Sequence, residues 1–221
     1  MDYRKFETLE FSPTTYCQAK CPLCPRTELD AKDKLVYRHF SLETYKKMVD
    51  TAPSAVEVIY FCGDYGDPLM HPDIEEMIDY GCASGKEVQV ATNGGLRQKD
   101  WYVSIAKRWK DQLRLNFGID GITAEQSSKY RIEVDFNRAW EHMIAANESG
   151  AVVCWDFLVF TFNYRSVPEA IELARKNKLE MDIKLNTRDW KYKIVDKEMK
   201  EQVFAWANKV SEWKWYDKDK V

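Results

Sequence analysis

Short stretches rich in Val, Ile and aromatic residues recur along the chain at "TLEFSPTTY", "VEVIYFC", "EVQVAT", "LRLNFGI", "VVCWDFLVF" and "LEMDIKLN". They predict β-strands, because β-branched and aromatic side chains suit a pleated, half-buried surface. Between them apolar residues return every three or four positions, the period of one helix face. Leu42, Tyr45, Met48 and Val49 form such a face behind a Ser41 N-cap, and Ile74, Met77 and Ile78 form a second behind Asp73. Trp101, Ile105 and Trp109 make a third, and Phe136, Trp140, Met143 and Ile144 a fourth. Val167, Ala170, Ile171 and Ala174 make the fifth, with Pro168 tolerated in a first turn, and Val203, Trp206 and Val210 the last. Strict strand–helix alternation predicts parallel strands with right-handed crossovers, in either an open doubly wound sheet or a barrel two units short of closure.

Polar residues inside the strands help to choose between the two. Parallel strands covered on both faces read as continuous apolar runs, yet Gln89, then Arg114 and Asn116, then Asp182 and Lys184 recur at period two. A solid barrel core would leave these groups unsatisfied, whereas a partial (β/α)6 barrel of the TIM type, with a wet or cofactor-filled lumen, accommodates them. An edge strand with one solvated face is the competing explanation for any single strand. No repeat, low-complexity run or linker interrupts the pattern, so residues 1–213 are expected to form one α/β domain and 214–221 a C-terminal tail.

Composition narrows the class. The 221 residues, 45% hydrophobic and 31% charged, suffice for one core, which the 14% aromatic content fills well. A net charge of −3 disfavours nucleic acid as a partner, since neutralising phosphates requires a basic footprint. The opening "MDYRKFETLEF" has no apolar signal-peptide core, and no run approaches the roughly 20 apolar residues of a membrane span, so a cytoplasmic protein is expected. Six cysteines, three of them crowded at 17, 21 and 24, do not form a disulfide framework.

Those three cysteines follow the first strand, at the carboxyl end where parallel α/β folds place their chemistry. The spacing Cys-x3-Cys-x2-Cys of Cys17, Cys21 and Cys24 differs from zinc-ribbon pairs, and three thiolates on a [4Fe–4S] cube leave one iron open to an external ligand. The alternative is a zinc knot completed by His39 or Cys62. Cys82 and Cys154 read as small buried thiols, Cys62 as a packing residue beside the motif, and His71 and His142, the latter on a charged helix face, as structural or solvated.

Four strand ends in order resemble the radical S-adenosylmethionine (radical SAM) superfamily. Besides the cysteines these are "FCGDYGDPLMHPDI" after the second strand, "ATNGG" after the third and "FGIDG" after the fourth. The resemblance covers roughly residues 8 to 187 and implies a partial barrel, a [4Fe–4S] cluster on the three cysteines, and S-adenosylmethionine (SAM) held by Gly63, Asp64, Tyr65, Gly66, Asp67 and Pro68, with Asn93, Gly118, Asp120 and Arg131. Three departures stand out: Leu23 where an aromatic residue is common, Gly118 for the usual serine and Asp67 for the more frequent glutamate.

The same resemblance implies an oxygen-sensitive enzyme that cleaves SAM reductively to a 5′-deoxyadenosyl radical, fed by an external one-electron donor such as flavodoxin or ferredoxin. No cysteine-rich extension for further clusters is visible, so a minimal member is expected. The motif style points first to a peptide or protein substrate, then to a small metabolite or nucleobase derivative; a non-catalytic iron–sulfur or zinc module acting with a partner is the reading from another class. Substrate candidates are Asn163 and Arg165 after the fifth strand, Asn186, Arg188 and Trp190 after the sixth, and Tyr37 and Arg38 beyond the cysteine loop.

Overall fold

Six parallel strands pair strictly in chain order: β1 (Thr8–Phe11), β2 (Val58–Phe61), β3 (Glu87–Thr92), β4 (Leu113–Gly118), β5 (Val152–Val159) and β6 (Glu180–Leu185). The protein is seen here in a computed structural model, which describes residues 7–211; the expected tail at 214–221 lies outside the described residues. Eight helices accompany the strands among the described residues: α1 (Pro25–Ala31), α2 (Leu42–Asp50), α3 (Ile74–Ala83), α4 (Lys99–Trp109), α5 (Ala124–Ser128), α6 (Phe136–Glu148), α7 (Val167–Lys176) and α8 (Lys197–Ser211). The strand order runs 1 to 6 without the reversal of a doubly wound sheet, and β1 and β6 do not pair with each other, so of the two architectures that the alternation allows this is the open, partial (β/α)6 barrel. No described helix is long and apolar enough to cross a membrane.

Period-two alternation separates the two faces of the sheet. Phe11, Ile59, Phe61, Val88, Val90, Leu115, Phe117, Trp155, Phe157 and Ile183 face the helices and are buried in one core. Each large side chain fully buried there is worth about 1.5–3 kcal/mol. The opposite face carries Tyr60, Gln89, Arg114, Asn116, Asp156, Asp182 and Lys184, which line a lumen cavity of about 450 Å³. Its charges are paired: Arg114 with Glu180, and Lys184 with Asp156 at 3.1 Å and Asp182 at 2.9 Å. α8 packs against β6, and its Ala207, Val210 and Ser211 form one wall of this cavity.

Several local expectations change. Ser41 caps α2, its hydroxyl accepting from Thr44 N–H at 3.3 Å, but the Asp73 side chain makes no cap bond; His71 Nδ1 takes the Asp73 N–H instead, at 3.0 Å. Met48 is 40% exposed at the margin of the α2 face. The buried line of α4 runs through Tyr102, Ile105 and Ala106, while Trp101 and Trp109 flank it and donate their indole N–H groups to Glu75 and Asp79 of α3 at 2.8 and 2.5 Å. His142 is buried rather than on a charged face, stacked on Tyr102 at 4.6 Å and 2.8 Å from the Gly94 carbonyl. Burial lowers the pKa of both His71 and His142, as expected of neutral structural imidazoles.

The strand ends are level, with Phe11 opposite Phe61, Phe61 opposite Val90, and Gly118 opposite Asp156, so the loops that follow crowd one rim. The tightest contact there is at Gly66. A Cβ on it would lie 2.3 Å from the Thr14 carbonyl oxygen and 2.6 Å from that of Tyr16, both main-chain atoms that cannot swing aside. At Gly63 the nearest such atom is 3.5 Å away. Gly66→Ala should therefore cost about 1–3 kcal/mol of stability, the usual range for overpacking, with Gly63→Ala close to neutral. Thermal unfolding of the two variants checks this, and equal midpoints would contradict it.

Candidate functional site

The loop after β1 carries Cys17, Cys21 and Cys24, and Cys24 is the N-cap residue of α1. Internal and external bonds fix the loop. Cys24 N–H donates to the Cys21 carbonyl at 3.1 Å, Lys20 N–H to the Ile132 carbonyl at 3.0 Å, and the buried Arg26 donates Nε to the Thr15 carbonyl at 3.0 Å. All three cysteines line one rim cavity of about 260 Å³. Gly63, Asp64, Gly66 and Asp67 reach it from the loop after β2, Asn93 from the end of β3, and Gly118 with Arg131 from β4 and its following loop. The four strand-end motifs thus converge on one space.

Asp67 and Asn93 join these loops. The Asp67 carboxylate, 3% exposed, accepts from Leu69 N–H at 3.0 Å, from Thr92 Oγ1 at 3.0 and 3.1 Å, and from Asn93 N–H at 2.8 Å. Its own N–H donates to the Tyr16 carbonyl at 2.9 Å. Burial raises its pKa, and the hydrogen bonds oppose that rise. The Asn93 side chain meets the cysteine loop directly, with Nδ2 3.7 Å from Cys17 Sγ and Oδ1 2.6 Å from Gln18 Nε2.

Gly118 and Arg131 are complementary in shape. A Cβ at residue 118 would lie 2.6 Å from Arg131 Nη2, so the guanidinium occupies the space a serine would need. Asp120, fully buried, holds that guanidinium: Oδ2 accepts from Arg131 Nε at 2.6 Å, while Oδ1 takes the Leu158 N–H at 2.8 Å. Asp120 therefore stands behind the cavity wall and supports Arg131. Burial pushes the Cys17 thiol up to about 12 and raises that of Cys21, where the Arg131 charge works in the opposite direction.

The remaining expected residues separate. Tyr65 is 43% exposed on a neighbouring depression, and Pro68 is buried at the start of a 3-10 turn. Asn163 is completely buried and structural: it accepts from Phe160 N–H at 2.7 Å and donates to the Asp120 and Leu158 carbonyls at 3.0 Å each. Asn186 closes a turn with Arg188, and Arg165 is exposed away from the cavity. Tyr37 donates to Asp30 Oδ1 at 2.6 Å, and Arg38 lines the depression that holds Tyr65. Arg188 does reach the cavity and donates to the Leu23 carbonyl. Trp190 packs on Tyr130 and Phe160, with ring centroids 5.6 and 5.2 Å apart, in an aromatic cluster against the cysteine loop. Asn116 and Asp156 line both the rim cavity and the lumen cavity and had no place in the motif-based site, although their period-two position was a usable signal. Tyr130 also lines the rim cavity, and no pattern in the sequence marks it.

The three cysteine sulfurs are not gathered as one zinc ion would hold them. A tetrahedral zinc with Zn–S of about 2.3 Å would hold its sulfurs within about 4 Å of each other. Among the described residues, the one trio of Cys, His, Asp and Glu ligand atoms lying within 4.8 Å of one another is Glu10, Cys62 and Asp64, not the three cysteines. Cys62 Sγ sits 3.0 Å from Ser12 Oγ, and His39 Nδ1 is 3.0 Å from Thr14 Oγ1 with its ring stacked on Tyr16; neither lines the rim cavity.

Comparison with known proteins agrees with the fold. The family model described as "Radical SAM superfamily" matches residues 11–174. The antilisterial bacteriocin subtilosin biosynthesis protein AlbA of Bacillus subtilis (strain 168) is 28% identical over 122 residues, which is 55% of this chain and 26% of that protein. Streptococcus suis SuiB bound to S-adenosylmethionine superimposes with a TM-score of 0.74 at 16% identity, over 92% of this chain and 48% of that one. For anSMEcpe with bound AdoMet the TM-score is 0.64 at 16% identity, over 84% of this chain and 54% of that one. The chain thus spans about a quarter of the curated relative and about half of these structures. A family match over most of the sequence and a shared six-stranded partial barrel lead to one conclusion: this chain belongs to the radical SAM superfamily.

Proposed function

We propose that the protein is an enzyme that holds a [4Fe–4S] cluster on Cys17, Cys21 and Cys24, binds SAM in the adjoining rim cavity, and takes a hydrogen atom from a peptide or protein substrate. One observation carries the proposal: the three cysteines, the glycine-rich segment, Asn93 and Arg131 line a single cavity in a chain of this superfamily. When bound, the cluster and SAM supply reductive cleavage of the sulfonium C–S bond and with it a 5′-deoxyadenosyl radical; the electron comes from an external one-electron donor. The protein's part is to bind, orient and enclose. Gly63 leaves main chain bare for the SAM amino group, and Arg131, pre-set by Asp120, offers a cation to the SAM carboxylate.

Substrate reaches the reacting space from the lumen, where Asn116 and Asp156 border both cavities. Two relatives support a peptide: the name of AlbA places it in bacteriocin biosynthesis, and SuiB has been seen with its precursor peptide SuiA. Arg188 and Trp190, strapped over the cysteine loop, are the remaining candidates from the late loops for contact with it.

Protein reconstituted without oxygen should carry four irons per chain. Replacing Cys17, Cys21 and Cys24 together by alanine should abolish iron uptake, while Cys82→Ala and Cys154→Ala should retain it. Metal analysis of protein purified without oxygen checks this; one tightly held zinc and no iron would contradict it.

Arg131→Ala should weaken SAM binding by about 1.5–3 kcal/mol, the worth of a hydrogen bond to a charged group. It also leaves Asp120 buried without its cation, a loss of about 3–5 kcal/mol of stability. Adding Asp120→Asn should restore much of the stability and none of the affinity. Calorimetric titration with SAM and thermal unfolding of both variants check the pair of outcomes, and unchanged affinity in Arg131→Ala would remove the arginine from the site.

A further inference from the structure

The orientation of the Asn93 side chain carries a consequence for the cluster. Its Oδ1 accepts two hydrogen bonds, from Gln18 Nε2 at 2.6 Å and from Gly95 N–H at 2.9 Å. With the oxygen so occupied, Nδ2 is the group turned toward Cys17, 3.7 Å from its sulfur and 3.3 Å from Gln18 Oε1. The main chain of residue 93 is fixed as well, because its N–H donates to Asp67 Oδ2 at 2.8 Å. At 6% exposure, with oxygen and nitrogen both engaged by protein atoms, this amide is spent on the cysteine loop and is not free for a ligand.

Donors aimed at a ligating sulfur draw off its negative charge, and that favours the reduced, more negative state of an iron–sulfur cluster. Of the three proposed ligands, Cys17 is the one whose sulfur such a side-chain donor reaches among the described hydrogen bonds. Asn93 is the one neutral side chain with a fixed N–H directed at it among the described hydrogen bonds.

We propose that Asn93 is a positioning residue for the cluster rather than a SAM contact, and that its side-chain N–H, donating to the Cys17 sulfur, raises the cluster's reduction potential. The proposal rests on the cysteine assignment given under the proposed function. It makes residue 93 part of the setting that decides how strong a reductant the external donor must be. No group is transferred: a proton stays on Nδ2 throughout, and only the charge on sulfur is redistributed.

The test is a redox titration of the reconstituted protein, followed by electron paramagnetic resonance, alongside calorimetric titration with SAM. Asn93→Asp keeps the acceptor and the shape but removes the donor; Asn93→Leu removes the donor without adding charge. Both are expected to shift the midpoint potential to more negative values, with SAM affinity within about twofold of wild type and four irons still bound. A potential unchanged in both variants, or one unchanged beside a tenfold or greater loss of SAM affinity, would overturn the proposal and return Asn93 to the SAM contacts. If either variant fails to take up iron, Asn93→Ala decides the matter: it removes the donor without adding bulk or charge, so a shift to more negative potential supports the proposal and no shift refutes it. Wild-type protein that takes up no iron would be a separate failure, of the cysteine assignment itself.

Discussion

The buried carboxylate of Asp67 holds the rim together. It sits in the loop after β2, takes the Leu69 N–H within that loop, and reaches the end of β3 through the Thr92 hydroxyl and the Asn93 N–H. The Asp67 N–H closes the third side on the Tyr16 carbonyl, immediately before Cys17. Burying a carboxylate is costly, and its raised pKa records that cost; the converging donors offset it because each would otherwise be a buried group without a partner. Gly66 is the steric counterpart, since only a residue without a Cβ brings the loop close enough for the Asp67 N–H to reach Tyr16. Cysteine placement, the Asn93 orientation and the bare main chain near Gly63 all depend on this junction.

A second junction mirrors the first. Asp120, fully buried after β4, fixes the Arg131 guanidinium with one oxygen and the β5 main chain at Leu158 with the other. Asn163 then binds the Asp120 carbonyl from the far side. Buried carboxylates thus organise both halves of the rim, and the charged groups that remain on the cavity surface are Asp64, Asp156, Arg131 and Arg188. The lumen below is polar but largely paired, through Arg114 with Glu180 and Lys184 with Asp156 and Asp182, and this lets a charged interior exist without collapse of the fold.

Most of the fold was legible because periodicity reports burial. All six strands, their parallel order and the polar face through Gln89, Arg114, Asn116, Asp182 and Lys184 follow from alternation, and six of the eight helices follow from the three-to-four spacing. The short helices α1 and α5, of seven and five residues, did not, since so few residues give no repeat to count. At the rim, the turn-forming residues after the strand ends do come together around one cavity, but residue type alone could not say which atoms face it. Asp67, Asp120, Asn163 and Asn186 all turn their polar atoms into the protein, because a loop packed on a rim must satisfy its own main chain before it can serve a ligand. Asp156 was passed over because the apolar residues around it in "VVCWDFLVF" read as core, and the face drawn through Trp101, Ile105 and Trp109 shares only Ile105 with the buried line, which continues through Tyr102 and Ala106.

Whether this rim performs the chemistry of its superfamily is decided by the fate of SAM. The direct measurement is chromatographic: reconstituted protein is mixed with SAM and dithionite in the absence of oxygen, and 5′-deoxyadenosine is quantified against Cys24→Ala treated identically. The account predicts a slow, steady yield above that control without added substrate. No 5′-deoxyadenosine above the Cys24→Ala control, from protein shown to hold four irons and to bind SAM, would contradict it.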